Sequence, residues 1–149
     1  MKYSIKPMIK QSVTSMLNTE DKILKVAYNV FLLFGYHGTT LNQIASSAGV
    51  NKASIHYYFR SKEKLYRKVV KIIIDLVLNS EVNFSDNKDR VENTAWFLFT
   101  ELYNNRILFE HTMKELFPND WERKVKELLN WIEFSNNPFP FISIGSERK

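Results

Sequence analysis

Apolar residues recur at intervals of three and four along most of this chain, which is the spacing of one face of an α-helix. The first clear run lies in residues 19–34, where the apolar face consists of Ile23, Ala27, Val30, Phe31 and Phe34. Small polar residues suited to helix capping precede this run, and Gly35 follows it. The pattern therefore predicts an amphipathic helix over residues 19–34.

Residues 38–65 predict two short helices joined by a tight turn. Thr39 and Thr40 are suited to cap the first helix, whose apolar positions are Leu41, Ile44, Ala45 and Ala48. Gly49 then supplies the turn, because glycine adopts a left-handed backbone conformation without the steric cost of a Cβ. Asn51 is suited to cap the second helix, on which Ile55 and either Tyr58 or Phe59 point inward.

Two short helices joined by a glycine-containing turn form the helix-turn-helix unit, whose second helix enters the major groove of DNA. When one face of that helix is buried, the other is exposed, and here it carries Lys52, Ala53, His56 and Tyr57. A lysine can donate to guanine O6 and N7, and an alanine can pack on the methyl group of thymine. The second helix is therefore a candidate for reading base edges.

The rest of the chain continues the helical spacing and shows no strand pair. Ser61 caps a predicted helix that runs to about Ser80, and a polar break at 83–88 separates it from the next. Three more helices are predicted over 89–104, 106–117 and 119–134, with Pro118 suited to open the last. The predicted fold class is all-α: an arm at 1–18, a three-helix helix-turn-helix domain at 19–66 and a helical domain at 67–149.

The charge is divided unevenly along the chain. Of the 149 residues, the first 68 hold eleven Lys or Arg and three Asp or Glu, a net charge of +8. The remaining residues hold ten Lys or Arg and thirteen Asp or Glu, a net charge of −3. A basic half joined to an acidic half is typical of a DNA-binding domain followed by a sensing or pairing domain. A solvated surface of mixed charge is the alternative interpretation.

Residues 19–66 resemble the N-terminal domain of the tetracycline-repressor (TetR) family of bacterial transcriptional regulators. The resemblance covers about a third of the chain and rests on FGYHGTT, on the IA and AGV segments around the turn, and on NKASIHYYF and SKEKL. Three departures stand out. Asn51 stands where serine is usual, Ala53–Ser54 stand where glycine and threonine are usual, and His56 stands where tyrosine is usual.

The resemblance implies a set of DNA contacts. Base contacts are expected from Lys52, Ala53 and Tyr57, with a lesser one from Asn42; phosphate contacts are expected from Thr40, Ser54, His56, Tyr58 and Lys62. Lys62 also lies at a helix start, where free amide N–H groups favour a phosphate. Structural alternatives exist, because Thr40 caps a helix whatever else it does, and Tyr58 is also a candidate core residue.

The second half offers two further candidate sites. Five aromatic residues are candidates to line an apolar effector cavity, although in a small helical domain such residues are more often plain core: Trp96, Phe99, Tyr103, Phe109 and Phe117. A stripe on the last helix is a candidate dimerisation surface, the alternative being that it closes the chain's own core: Trp121, Val125, Leu128, Leu129 and Ile132. Only fifteen residues follow Phe134, whereas family members usually carry two further helices, so this domain is expected to be truncated or reduced.

Several classes of function are not supported by the sequence. There is no cysteine, the three histidines lack metal-ligand spacing, and no cofactor motif, nucleophile elbow or membrane-spanning run is visible. We therefore expect no enzyme, metal or cofactor. The prediction is a cytoplasmic repressor that binds a palindromic DNA operator as a homodimer and is released by a small apolar effector. The alternatives are a regulator without a ligand and a helical protein-interaction module that does not bind DNA.

Overall fold

The computed structural model describes residues 18–79 and 88–135 of the chain. Within these two ranges the chain forms α-helices and no strand, which confirms the predicted all-α class. The helices are α1 (Thr19–Phe34), α2 (Leu41–Ala48), α3 (Lys52–Phe59), α4 (Lys62–Leu78), α5 (Lys88–Asn104), α6 (Arg106–Leu116) and α7 (Trp121–Phe134). The predicted arm before residue 18, most of the polar break at 83–88 and the tail after residue 135 lie outside the described residues.

The first three helices pack on the start of α4 around the apolar positions that the spacing predicts. Ile23, Phe31, Ile44 and Ile55 have no exposed surface. Helix α1 contacts each of α2, α3, α4 and α5, so it lies at the centre of the molecule. The turn between α1 and α2 is held by the buried Thr39, whose hydroxyl donates to the Gly35 carbonyl at 2.7 Å.

Helix α4 connects the two halves of the molecule. It contacts α1 and α3 on one side and α6 and α7 on the other. Its buried side chains extend from Leu65 to Ile74, and they belong to one hydrophobic cluster that includes residues of all seven helices. The predicted boundary after residue 66 therefore lies inside a helix, and the described parts of the two predicted domains share a single core.

Helices α5, α6 and α7 pack on one another and bury Phe97, Leu98, Phe109 and Met113. The start of the last helix differs from the prediction. Pro118 does not open it, because residues 118–120 form a turn and the helix begins at Trp121. The other described helix limits agree with the predicted ones to within two residues.

Candidate nucleic-acid interface

Side-chain caps fix the two helices of the predicted helix-turn-helix unit. Thr40 and Gln43 form a reciprocal capping box at the start of α2. The backbone N–H of Gln43 donates to Thr40 Oγ1 at 3.0 Å, and the backbone N–H of Thr40 donates to Gln43 Oε1 at 2.7 Å. Gly49 ends α2 in the left-handed conformation with φ +72°. Asn51 then caps α3 by accepting from the Ser54 amide at 2.9 Å. The predicted caps at Thr40 and Asn51 and the predicted turn are thus present, whereas Thr39, also predicted as a cap, donates to the Gly35 carbonyl instead.

Helix α3 has one buried face and one exposed face. Ile55 and Phe59 are at most 2% exposed and hold the helix on the core. The opposite face carries the predicted base-contact residues Lys52, Ala53 and Tyr57, all of which are exposed, together with His56. Tyr57 is 69% exposed and its ring stands edge-on to that of Tyr58, with the ring centroids 4.9 Å apart. A helix of this kind can enter a groove without losing its packing on the core.

The residues predicted to contact phosphate lie around α3. Thr40, His56 and Tyr58 are exposed, whereas Ser54 is half-buried and its hydroxyl donates to Asn51 Oδ1 at 3.1 Å. Asn42, predicted as a lesser base contact, is also exposed. Nδ1 of His56 lies 3.3 Å from the Arg60 carbonyl oxygen. If Nδ1 carries the hydrogen and donates to this carbonyl, the neutral ring has only an acceptor left at Nε2. A phosphate contact from His56 then requires the charged ring or the other tautomer.

Lys62 occupies the first turn of α4, where Ser61 caps the helix by accepting from the Lys64 amide at 3.1 Å. The Lys62 ammonium lies 4.1 Å from the centroid of the Tyr36 ring, which fixes its position by a cation–π contact. Burial lowers the pKa of Lys62 because it removes water from the charged amine. A negatively charged phosphate bound at this helix start would stabilise the charged form of the amine and so oppose the effect of burial.

One feature of this surface could not be predicted from the spacing. Arg60 has φ +75° and ψ −46°, and the Ser61 amide donates across it to the Phe59 carbonyl at 2.8 Å. This is a γ-turn of the rarer, strained kind, and it joins α3 to α4 through two residues only. The side chain of Arg60 is exposed, so it adds a cation between α3 and Lys62. Neither hydrophobic spacing nor residue type indicates a positive φ at an arginine.

Comparison with known sequences agrees with this geometry. The sequence pattern of bacterial regulatory proteins of the tetR family matches residues 23–69, which run from the core of α1 into α4. Residues 23–69 belong to the tetR family of bacterial regulatory proteins. The resemblance noted from the motifs is thereby confirmed.

Two relatives show how far the tetR-family similarity extends. The chain is 39% identical over 122 residues to the biofilm operon icaADBC HTH-type negative transcriptional regulator IcaR of Staphylococcus aureus (strain Newman), a match that covers 82% of this chain and 56% of the relative. It is 52% identical over 56 residues to the HTH-type transcriptional regulator RutR of Escherichia coli (strain K12), covering 38% of this chain and 26% of RutR. The chain thus spans about half the length of IcaR.

Among solved structures, a linker-substituted mutant of HlyIIR is similar at 25% identity, with 80% of this chain and 71% of that chain covered. The superposition has a TM-score of 0.38, so no conclusion about this chain follows from it.

The five aromatic residues predicted to line an effector cavity do not surround one space. Phe109 is completely buried in the core, whereas Trp96 and Tyr103 are 51% and 71% exposed. Trp96, Phe99 and Tyr103 instead form a row along α5, with ring centroids 6.0 and 4.6 Å apart. Phe117 packs under Lys124, whose ammonium is 5.1 Å from its ring centroid. The sequence could not separate these positions, because helical spacing does not show which neighbour covers which face.

The apolar stripe on α7 that was predicted to pair two copies of the chain also contains both buried and exposed residues. Leu128 and Ile132 are 0% and 2% exposed, so they already pack inside the chain's own core, as in the alternative interpretation. Trp121 and Val125 are half-buried, and Leu129 is 46% exposed. A pairing role on this helix stays a prediction, and within this set it now depends chiefly on Leu129.

A buried polar cluster at the junction of the two halves was not predicted. The Tyr66 hydroxyl on α4 donates to Glu101 Oε1 on α5 at 2.6 Å, and Asn105 Nδ2 donates to Glu101 Oε2 at 3.1 Å. Burial, and then the neighbouring Glu101, raise the pKa of Tyr66 well above its usual value. The only sequence signal was that Glu101 lies on the apolar side of α5, four residues after Phe97.

Neither a metal-binding cluster nor a membrane-crossing helix occurs in residues 18–79 and 88–135. No group of three or more His, Cys, Asp or Glu side chains in these ranges could hold a metal ion. None of the helices described there is both long and apolar enough to cross a membrane.

Proposed function

We propose that this chain binds double-stranded DNA, with α3 in the major groove and the start of α4 on the phosphate backbone. The observation that carries the proposal is the division of α3 into two faces. Ile55 and Phe59 fix the helix on the core, while Lys52, Ala53 and Tyr57 remain exposed beside it. Exposed side chains on the N-terminal half of a firmly held second helix are what base recognition in this motif requires.

The proposed output is transcriptional repression. IcaR, which this chain resembles over 82% of its length, is by name a negative transcriptional regulator, and the tetR family consists of bacterial regulatory proteins. We assign residues 19–66 to DNA binding and the remainder to pairing and effector binding. A homodimer bound to a palindromic operator fits because two recognition helices must meet major grooves about 34 Å apart.

Ligand control is part of the same proposal. A small molecule that binds more tightly to a conformation with displaced recognition helices lowers operator affinity. The largest possible reduction equals the ratio of the ligand's affinities for the displaced and the DNA-binding conformations. Contact between the two halves supports such coupling, because α1 packs directly on α5 and α4 extends through both.

Salt dependence tests DNA binding and separates it from the protein-interaction alternative. The full chain should select particular duplexes from a random pool, and log K should fall with log salt with a slope of about −5 or steeper, as for six or more neutralised phosphates. Each phosphate contact releases counterions, whereas hydrophobic pairing with a protein does not. No selection, or an affinity independent of salt, would refute the proposal and favour a helical interaction module.

A further inference from the structure

The buried carboxylate of Glu101 has hydrogen-bond donors but no counter-charge. Only 2% of this residue is exposed, and both donors, Tyr66 and Asn105, are neutral groups. Within the described residues no basic group lies close enough to Glu101 to form an ion pair, and the neighbouring Arg106 is paired with Glu110 at 3.1 Å. A buried carboxylate without a cation is electrostatically costly, so a cation placed beside it would be strongly favoured.

A cleft of about 280 Å³ opens beside this carboxylate. One wall includes Gly35 and His37 of the connection between α1 and α2. The other is formed by Trp96, Thr100 and Glu101 of α5 and by Asn105, which follows α5. Asn105 is 8% exposed, and its Oδ1 has no hydrogen-bond partner in the part of the chain that the structure describes. The same wall of the cleft therefore carries two buried acceptors and an aromatic ring that is 51% exposed.

Gly35 leaves room for this arrangement. Its φ of +74° is a conformation that glycine adopts readily, and a Cβ at this position would lie 2.9 Å from Glu101 Oε2. Any other residue would press on the carboxylate that faces the connection. Gly35 thus both ends α1 and leaves space for the Glu101 carboxylate between the two halves of the molecule.

We propose that this cleft binds a small organic cation with an apolar body. The ammonium group of the ligand donates to the Glu101 carboxylate, since each carboxylate oxygen can accept a second hydrogen bond. Asn105 Oδ1, which has no hydrogen-bond partner among the described residues, adds a negative dipole beside it. Trp96 contacts the apolar body and adds a cation–π attraction. A volume of about 280 Å³ lies at the lower limit for ligand pockets, which suits a molecule with a single ring.

The cleft also connects to the proposed DNA contact at Lys62. The rings of Tyr66 and Tyr36 meet edge-on with centroids 5.0 Å apart, and Tyr36 in turn holds the Lys62 ammonium. A cation beside Glu101 draws negative charge from the oxygen that accepts from Tyr66 and so weakens that hydrogen bond. Ligand binding is therefore coupled to the position of Lys62 through two ring contacts. The role as an effector site rests on the proposed DNA-binding function, whereas the binding site itself does not.

The first measurement uses the full chain without DNA. Phenethylammonium is titrated to about 10 mM and followed by NMR at the Gly35 and Gly38 amides and the Trp96 indole; 2-phenylethanol, of the same shape but uncharged, is the matched ligand. We expect saturable shifts with the cation and at least tenfold weaker binding of the alcohol. Glu101→Gln should remove that preference. No saturable shift, or equal binding of the two ligands, would overturn the site.

A second pair of variants guards against a folding defect in Glu101→Gln. Trp96→Ala replaces a half-exposed ring that lines the cleft, and Tyr103→Ala replaces an exposed ring on the same helix that does not. Phenethylammonium should bind at least several-fold more weakly to Trp96→Ala than to wild type. Its affinity for Tyr103→Ala should equal that for wild type. Equal weakening in both, or in neither, would contradict the assignment.

The effector role is tested separately on a duplex selected from the random pool. Phenethylammonium should lower the DNA affinity of the wild-type chain and leave that of Glu101→Gln unchanged. Ligand binding without any effect on DNA affinity would refute the effector role. A chain that binds the ligand but no DNA would refute the proposed function and leave the binding site standing.

Discussion

At the scale of single residues, the hydrogen bond between Tyr66 and Glu101 is the clearest link between the two halves of the molecule. Its 2.6 Å length and its burial make it a strong, fully desolvated contact. The two residues are 35 positions apart, so no local pattern could reveal their pairing. By contrast, the cap at Asn51 involves residues three apart and was predictable from residue type alone.

Tyr66→Phe should destabilise the chain at neutral pH by about 1–3 kcal/mol, because a buried acceptor loses its donor. The pKa of Tyr66 is raised in the folded chain by burial and by Glu101. Its contribution to stability is therefore complete below the unfolded value of about 10 and is lost as pH rises further. Urea unfolding between pH 7 and 11 should show the difference between wild type and variant shrinking above about pH 10. A constant difference would contradict this assignment.

At the scale of secondary-structure elements, the joint between α3 and α4 sets the position of the recognition helix relative to Lys62. Only Arg60 and Ser61 separate the two helices, and the turn is possible because Arg60 adopts a positive φ. A non-glycine residue in so sparsely populated a backbone region costs at least about 1 kcal/mol. The strain persists because Phe59 on one side and Leu65 on the other are both fixed in the core.

Arg60→Gly should relieve this strain and leave the chain as stable as wild type, or more stable by up to about 1 kcal/mol. The glycine variant is stabilised because glycine adopts a positive φ without strain. It is destabilised by about 0.5–1 kcal/mol because glycine has greater conformational freedom in the unfolded chain. Arg60→Ala keeps the Cβ and is the matched control, for which no gain is expected. Urea unfolding measures both; a glycine variant less stable than the alanine variant would show that the turn is not strained.

Helix positions were predictable because the signals that set them are local. The apolar spacing, the caps at Thr40 and Asn51 and the glycine at position 49 lie within a few residues of the structure they determine. The start of α7 was missed by two residues, since Pro118 is compatible with both a first helical turn and a preceding loop. The contacts made between helices could not be predicted in the same way.

At the scale of the whole molecule, tertiary packing decided which apolar residues remain available for binding. Leu128 and Leu129 are neighbours on α7 and were placed in one predicted stripe, yet one is fully buried and the other 46% exposed. Likewise Phe109 lies in the core while Tyr103 faces outward. Sequence spacing identified the apolar face of each helix, but the edge of that face is set by the neighbouring helices.

Assembly is tested on the exposed edge of α7. If Leu129 lies in a pairing surface, Leu129→Glu should give a folded monomer with unchanged helical content and weaker affinity for the selected duplex. Asn130→Glu, an exposed position beside it, is the matched control and should remain dimeric. Sedimentation and circular dichroism measure both properties. A Leu129→Glu variant that stays dimeric would place the pairing surface elsewhere.

The central claim is that α3 reads bases while the start of α4 holds phosphate, and two lysine variants test it most directly. On the selected duplex and on duplexes changed at single base pairs, Lys52→Ala should cost about 1–3 kcal/mol and relax preference at one base pair. Lys62→Ala should instead weaken all duplexes about equally and flatten the salt slope by about one. Equal loss of specific and non-specific affinity in Lys52→Ala would contradict the account.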